Sequence, residues 1–173
     1  MDECGFSPSQ PVTCSWTRRG ERRCIPYENP QRRRVNALAA LVRDDPSPSL
    51  TWDTAPRHLT SRDLLAFLPG IPRRTDVPLV VVLDNASHQR SEAVRAALPG
   101  LWAQRIYLYF LPSYSPELNL IEPVFRVIKH QEMPARTYST VPALEDAVDT
   151  AFTAYETRHY NAAKARIQPG LPA

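Results

Sequence analysis

Long apolar runs are missing from this chain of 173 residues. The longest, Pro78–Leu83, falls far short of the roughly 20 residues that span a bilayer. No charged leader followed by an apolar stretch opens the chain, so no secretion signal is expected and the cytoplasm is the expected location. Cysteine is scarce: Cys4, Cys14 and Cys24 are odd in number, widely and evenly spaced, and form no CxxC pair. That pattern argues against a zinc site or a disulfide framework. Lysine is nearly absent. Only Lys129 and Lys164 occur, so nineteen of the twenty-one basic residues are arginine. There is no internal repeat and no low-complexity tract. What remains, 43% hydrophobic and 23% charged residues, suits one ordinary globular domain with a real core.

The net charge of +3 is mild, but its distribution is uneven. Arg18, Arg19, Arg22, Arg23, Arg32, Arg33 and Arg34 crowd into the first 34 residues. The planar guanidinium fork suits phosphate oxygens, so this cluster could grip a DNA backbone. A solvated basic hairpin is the other reading, and composition alone does not separate the two.

Periodicity predicts β structure over the first 42 residues: segments around Val12–Trp16 and Arg22–Pro26 flank Arg19-Gly20, and a further strand covers Arg33–Leu41. Pro46, Pro48 and Pro56 make residues 44–58 a loop or a brief edge strand. Thr60 or Ser61 caps a helix that stops before Pro69-Gly70. Pro78–Leu83 is the clearest strand, apolar on both faces as a central strand covered by helices should be. A helix over Ser91–Leu98, a strand over Arg105–Leu111, a helix over Leu118–Gln131 and a long helix over Val141–Ala163 follow, with Gln168–Ala173 a loose tail. Alternating helices and strands make the fold class α/β with a mixed sheet.

Two acidic residues stand out by position. Asp84 ends the Pro78–Leu83 strand, where α/β folds place ligands, although Asp-Asn equally suits a cap or a turn. Glu122 lies beside the stripe Ile121, Val124, Phe125 and Ile128, which has the i, i+3, i+4, i+7 spacing of a core-facing helix. Arg126 and Lys129 share its side of that helix, and a plain Glu122–Arg126 surface pair would account for it.

Together these segments carry more information. Leu83-Asp-Asn-Ala-Ser-His88, a strand, and then Leu111-Pro-Ser-Tyr-Ser-Pro-Glu-Leu-Asn-Leu-Ile-Glu122 closely resemble the DDE transposases of the mariner superfamily, in particular their bacterial insertion-sequence branch. In that family a DNxxxH element is followed by LPPYSPxLNPIExxW, which carries the catalytic glutamate. Glu122 lies 38 positions after Asp84, close to the family's spacing. The opening Met1-Asp2-Glu3-Cys4-Gly5-Phe6, then Trp16-Thr-Arg-Arg-Gly20, is similar to the family's Asp-Glu-x-Gly-Phe and Trp-x-x-x-Gly stretches, so Asp2 matches the first catalytic aspartate. Ser113, Leu120 and Phe125 depart from the family's proline, proline and tryptophan, and none of these changes removes a carboxylate.

The resemblance implies a ribonuclease-H-like mixed sheet flanked by helices, a DDE endonuclease domain over residues 1–165 and a loose tail over 166–173. It implies DNA transposition: metal-dependent cutting and joining at insertion-element ends and target DNA, with Asp2, Asp84 and Glu122 holding Mg²⁺, or Mn²⁺ as a substitute. Arg32, Arg33, Arg34, Asn85, His88 and Lys129 are the candidates for DNA contact. For Asn85, Ser87 and His88, capping or packing is the other reading. A homodimer is conceivable for the full-length enzyme, whose helix-turn-helix units have no counterpart here. Because Met1 directly precedes Asp2, the first, central strand is expected to be missing and the chain to be inactive in transposition. The alternative reading is a transposase remnant without cleaving activity. A phosphohydrolase built on Asp84 would leave the Ser-Pro-Glu-Leu-Asn-Leu-Ile-Glu element without a role.

Overall fold

In a computed structural model, the structure describes residues 1–9, 17–22, 24, 29, 33–43, 48–73, 77–84, 91–112, 115–134 and 136–161. Three strands, β1 (Asp2–Phe6), β2 (Val35–Val42) and β3 (Ser49–Ala55), form an antiparallel sheet in that order. Asp2 lies opposite Ala39 and Phe6 opposite Val35. Two further strands, β4 (Leu79–Leu83) and β5 (Ile106–Phe110), pair in parallel. The helices are α1 (Ser61–Phe67), α2 (Glu92–Ala103), α3 (Glu122–Val127) and α4 (Val141–Glu156). A π-helical turn over Ile128–Glu132 extends α3, and another over Thr157–Asn161 extends α4.

The central strand expected to be missing is not seen as a central one, but among the described residues a short strand carries Asp2 at the edge of the sheet. β1 begins at Asp2 itself and pairs with β2 over five residues. Alternation explains why so short a strand holds: Cys4 and Phe6 enter one core, and the intervening positions face the other way. The link from this sheet to β4 is narrower. The Met1 ammonium donates to the Val82 carbonyl at 2.9 Å. Residues 40–43, at and just after the end of β2, and residues 77–82, leading into and along β4, line a cavity of about 360 Å³.

β2 is the strand covered on both faces. Val35, Ala37 and Ala39 pack with Phe6, Ile121, Phe125 and the α4 stripe, whereas Leu38 and Ala40 pack with Leu64, Leu68, Val81 and Ile106. β4 was expected to have that role and does not. Val81 and Leu83 are buried, but Val80 is 59% exposed and Val82 faces outward with it. Their β5 neighbours Tyr107 and Tyr109 share that outward face, and Tyr109 is 57% exposed.

Several boundaries also move. The stretch over 44–58 contains a full seven-residue strand, β3, because its partner β2 supplies a complete ladder. α2 continues through Pro99-Gly100 to Ala103. Proline in a helix interior costs about 3 kcal/mol, but the continuation buries Leu101 seven positions beyond the buried Val94, and burying a leucine returns about 1.5–3 kcal/mol. The helix expected over Leu118–Gln131 is a 3₁₀ turn (Pro116–Leu118), α3 and the π turn. Its predicted stripe of Ile121, Val124, Phe125 and Ile128 is fully buried. Of the two strands expected before β2, residues 12–16 lie outside the described residues, and the described part of 22–26 is not in a strand. The tail expected over Gln168–Ala173 also lies outside them.

Caps fix the helix starts. Thr60 and Asp63 form a capping box on α1, and the Arg57 guanidinium forks onto Asp63 at 2.6 and 2.8 Å. That hydrogen bond, ahead of every other influence, holds the Asp63 carboxyl well below the usual range. Ser91 caps α2 and donates to the Ser61 hydroxyl at 2.8 Å, tying two helix starts together. Thr140 caps α4. The stripe Leu144, Ala147, Val148, Ala151, Phe152 and Tyr155 then covers the three-stranded sheet. Phe152 is the hub, with Phe6, Trp52 and Phe125 around it at ring-centroid distances of 6.1, 5.5 and 6.3 Å.

Candidate active site

Asp2 and Asp84 meet where the two sheets join. β1 starts at Asp2; β4 stops at Leu83, whose carbonyl accepts from the Leu111 amide at 2.8 Å, and Asp84 follows. The Met1–Val82 bond holds these two strand ends side by side. The Asp2 carboxyl is gripped at both oxygens: Oδ1 accepts from the Glu3 amide at 2.6 Å, and Oδ2 from the Asn119 side-chain amide at 2.9 Å. Burial, above all, pushes its pKa up to about 6, and the Asp84 carboxylate adds to the rise. The Glu3 and Asn119 hydrogen bonds and the Met1 ammonium work the other way. Asp84 buries its Oδ1, which has no hydrogen-bond partner among the described residues. A buried oxygen left unpaired is costly, and its natural partner is a cation.

Glu122 is not drawn into the same cluster. It is the first residue of α3, exposed, with its amide donated to the Asn119 carbonyl at 3.1 Å. Among the described residues no three His, Cys, Asp or Glu side chains converge tightly enough to hold one metal ion. The structure therefore brings Asp2 and Asp84 together and joins Glu122 to them through Asn119.

The candidate DNA contacts divide. Arg32, Asn85 and His88 lie outside the described residues. Arg33 donates to the Ser139 carbonyl and, at 2.8 Å, to that of Asn29. Arg34 lies across Gly5, where any β-carbon would collide with its guanidinium; this close approach is what the glycine permits. Lys129 is half-buried and turns inward, its ammonium 5.5 Å from the centre of the Phe6 ring. It also meets the buried Cys4 thiol, whose pKa burial pushes up against the opposing pull of Lys129 and Arg34.

The sequence reading passed over Asn119. The available signal was chemical: in Leu-Asn-Leu-Ile, a polar side chain sits immediately before the apolar stripe, where an amide must find a partner.

The model of one family, described as DDE superfamily endonuclease, matches residues 1–145. The chain belongs to that family. Among solved structures, this DDE endonuclease is similar to a chain of the Mos1 strand transfer complex, with a TM-score of 0.56 and 13% identity over 96% of this chain. It is also similar to a chain of the Mos1 transposase paired-end complex with left transposon end, with a TM-score of 0.55 and 14% identity over 95% of this chain. At such identities the likeness establishes the fold, which is ribonuclease-H-like as expected. The chain spans about half the length of those proteins, 50% and 51%. No curated protein matches this chain in sequence.

Two carboxylates at neighbouring strand ends, one with an orphaned buried oxygen, are a hard-oxygen donor set that fits a divalent cation such as Mg²⁺. Without such an ion, the two negative charges repel across the seam.

Proposed function

We propose that this chain is the catalytic domain of a DDE transposase, built to cut and join DNA at insertion-element ends, with Asp2, Asp84 and Glu122 holding Mg²⁺ or, in its place, Mn²⁺. The observation that carries this reading is the Asp2–Asp84 pair: it joins the two strand ends named by the motif, and its buried charge calls for a cation. A divalent ion bound there supplies positive charge to the oxygens of a phosphodiester under attack. The residues of the chain do the rest. The Glu3 amide and the Asn119 side chain hold the Asp2 carboxyl in one orientation, and the turn before α3 presents Glu122 from its helix start. In the proposed sequence, water attacks the phosphorus and the bond to the 3′-oxygen breaks, leaving a 3′-hydroxyl. That hydroxyl then attacks a target phosphodiester, one P–O bond forming as another breaks. Arg34, exposed beside β1, together with Arg32 and Arg33, is proposed to contact backbone phosphates without reading sequence. The domain is taken to run to about residue 165, since the last helix and its π turn reach Asn161, beyond the matched segment.

A second reading, a remnant that folds but does not cut, draws on one observation: Glu122 stands apart from the aspartate pair. Incubating residues 1–173 with supercoiled DNA carrying element ends, with Mn²⁺ and with EDTA, separates the two. Nicking that needs Mn²⁺ and disappears in Asp84→Asn supports the enzyme. A well-folded chain that never nicks supports the remnant.

A further inference from the structure

Asn119 inverts the usual order of burial. The amide is only 5% exposed, whereas Leu118 and Leu120 on either side are 50% and 51% exposed. A turn governed by hydrophobicity alone would place these leucines inside and the amide in water. An inversion of this kind persists when the buried polar group has specific work to do. Here the work is visible at both ends of the residue. Its side chain donates to Asp2 Oδ2 at 2.9 Å, and its backbone carbonyl accepts the Glu122 amide at 3.1 Å. One residue thus grips the first carboxylate and the start of the helix that bears the third.

We propose that Asn119 is a positioning residue that couples Asp2 to the start of α3, so that the Asp2 and Glu122 carboxylates are held as one unit. In its bearing on metal, this rests on the reading of Asp2 as a ligand. Neither carboxylate oxygen of Asp2 is then free to rotate away, because Oδ1 is held by the Glu3 amide and Oδ2 by Asn119. Asn119 touches no reacting atom and acts through Asp2. A purely structural role would need only a side chain that fills the space.

The test compares Asn119→Leu, similar in size but without a donor, with Asn119→Gln, which keeps the amide; Asn119→Ala replaces the leucine variant if that does not fold. Two quantities are read on the full chain. The first, without metal, is hydrogen exchange at the Glu122 and Phe125 amides against that at Val148. Leucine should speed the first two about tenfold or more and leave Val148 unchanged, and glutamine should restore part of the protection. The second is Mn²⁺ binding followed by the EPR signal of the free ion, where loss of a supporting hydrogen bond weakens affinity about 10–100-fold. Unchanged exchange at Glu122 in both donor-less variants overturns the proposal whatever the metal does. Wild-type protein that binds no Mn²⁺ while its Glu122 amide still depends on Asn119 upholds the coupling and instead sinks the metal reading. Variants that lose the exchange protection but bind Mn²⁺ like wild type overturn the claim that the coupling serves the ligand.

Discussion

The two halves of the molecule are built to different standards. The β1–β2–β3 sheet is sandwiched, with aromatic packing around Phe152 on one side and the Leu38, Leu64 and Leu68 cluster on the other. The β4–β5 pair has one buried face, while Val80, Val82, Tyr107 and Tyr109 meet water on the other. Parallel strands are ordinarily covered on both sides, so the second half is held chiefly by its inner face. The site straddles this difference: Asp2 belongs to the firmer half and Asp84 to the looser one. The position of Asp84 relative to Asp2 is then the variable that a bound cation or a mutation should change most.

The largest expected effect is on chemistry. Asp84→Asn removes one charge at almost constant volume, so Mn²⁺-dependent nicking should fall by a hundredfold or more. The same change relieves the repulsion on Asp2 and should raise the metal-free melting temperature by about 1–3 °C. Nicking retained near the wild-type rate removes Asp84 from the site. A lower melting temperature contradicts the repulsion argument.

Next comes the contrast in packing. Phe152→Ala should cost about 3–5 kcal/mol in urea unfolding, whereas Tyr109→Ser on the open face should cost well under 1 kcal/mol. Equal losses would mean that the outer face of β4–β5 is covered, and the comparison between the halves would fail.

A smaller effect follows from pH. Below about 3.8, Asp2 is protonated whether the chain is folded or unfolded; between there and about 6 the fold keeps a proton that the unfolded chain has released. Metal-free stability should therefore decline as pH rises through that window, by about 1–2 kcal/mol after allowance for partial solvent screening. Added Mg²⁺ should recover the loss at pH 7.5 and do almost nothing at pH 4.5. Melting curves at the two pH values, with and without the ion, measure this directly, and equal Mg²⁺ shifts at both would refute it.

The smallest concerns the turn from α2 into β5, where Arg105 adopts a left-handed conformation with φ of 60°. Arg105→Gly should stabilise the looser half by about 0.5–1 kcal/mol. Stability that drops instead would show that the arginine side chain contributes more than its backbone strain costs.

Local chemistry explains what could be read from the sequence. The capping residue Thr60, the Ile121–Ile128 stripe and the long period of α4 are short-range patterns, and each appears where periodicity placed it. The failures are tertiary. β3, expected as a loop or a brief edge strand, is an edge strand of seven residues because β2 supplies a full ladder up to Val42–Ser49, and Pro99-Gly100 continues a helix because Leu101 finds a core. The apolar β4 looked central because a sequence cannot show that Val80 and Val82, on one of its faces, are exposed. At the site, Asp84 was legible as a strand-end carboxylate and Asp2 only through the opening motif. For Asn119 the sequence offered only a polar side chain before an apolar stripe, and the partner that explains its burial is 117 positions away.

That distance also has a consequence for the order of assembly. Pairing β1 with β2 closes a loop of some 37 residues, from Asp2 to Ala39, whereas the bond from Asn119 to Asp2 closes one of 117. Loop entropy grows only as a logarithm, so the longer closure costs about 1 kcal/mol more. The disadvantage is small in equilibrium terms but decisive for sequence of events, because contacts between distant segments form after local ones have condensed. The hairpin-like sheet should form first, and the closures that reach across the chain, the Asn119–Asp2 bond and the α4 cover, should follow. A partly unfolded molecule would then hold the β1–β2–β3 sheet before Asn119 grips Asp2, and cutting activity during refolding should lag behind the recovery of the β-sheet circular dichroism signal.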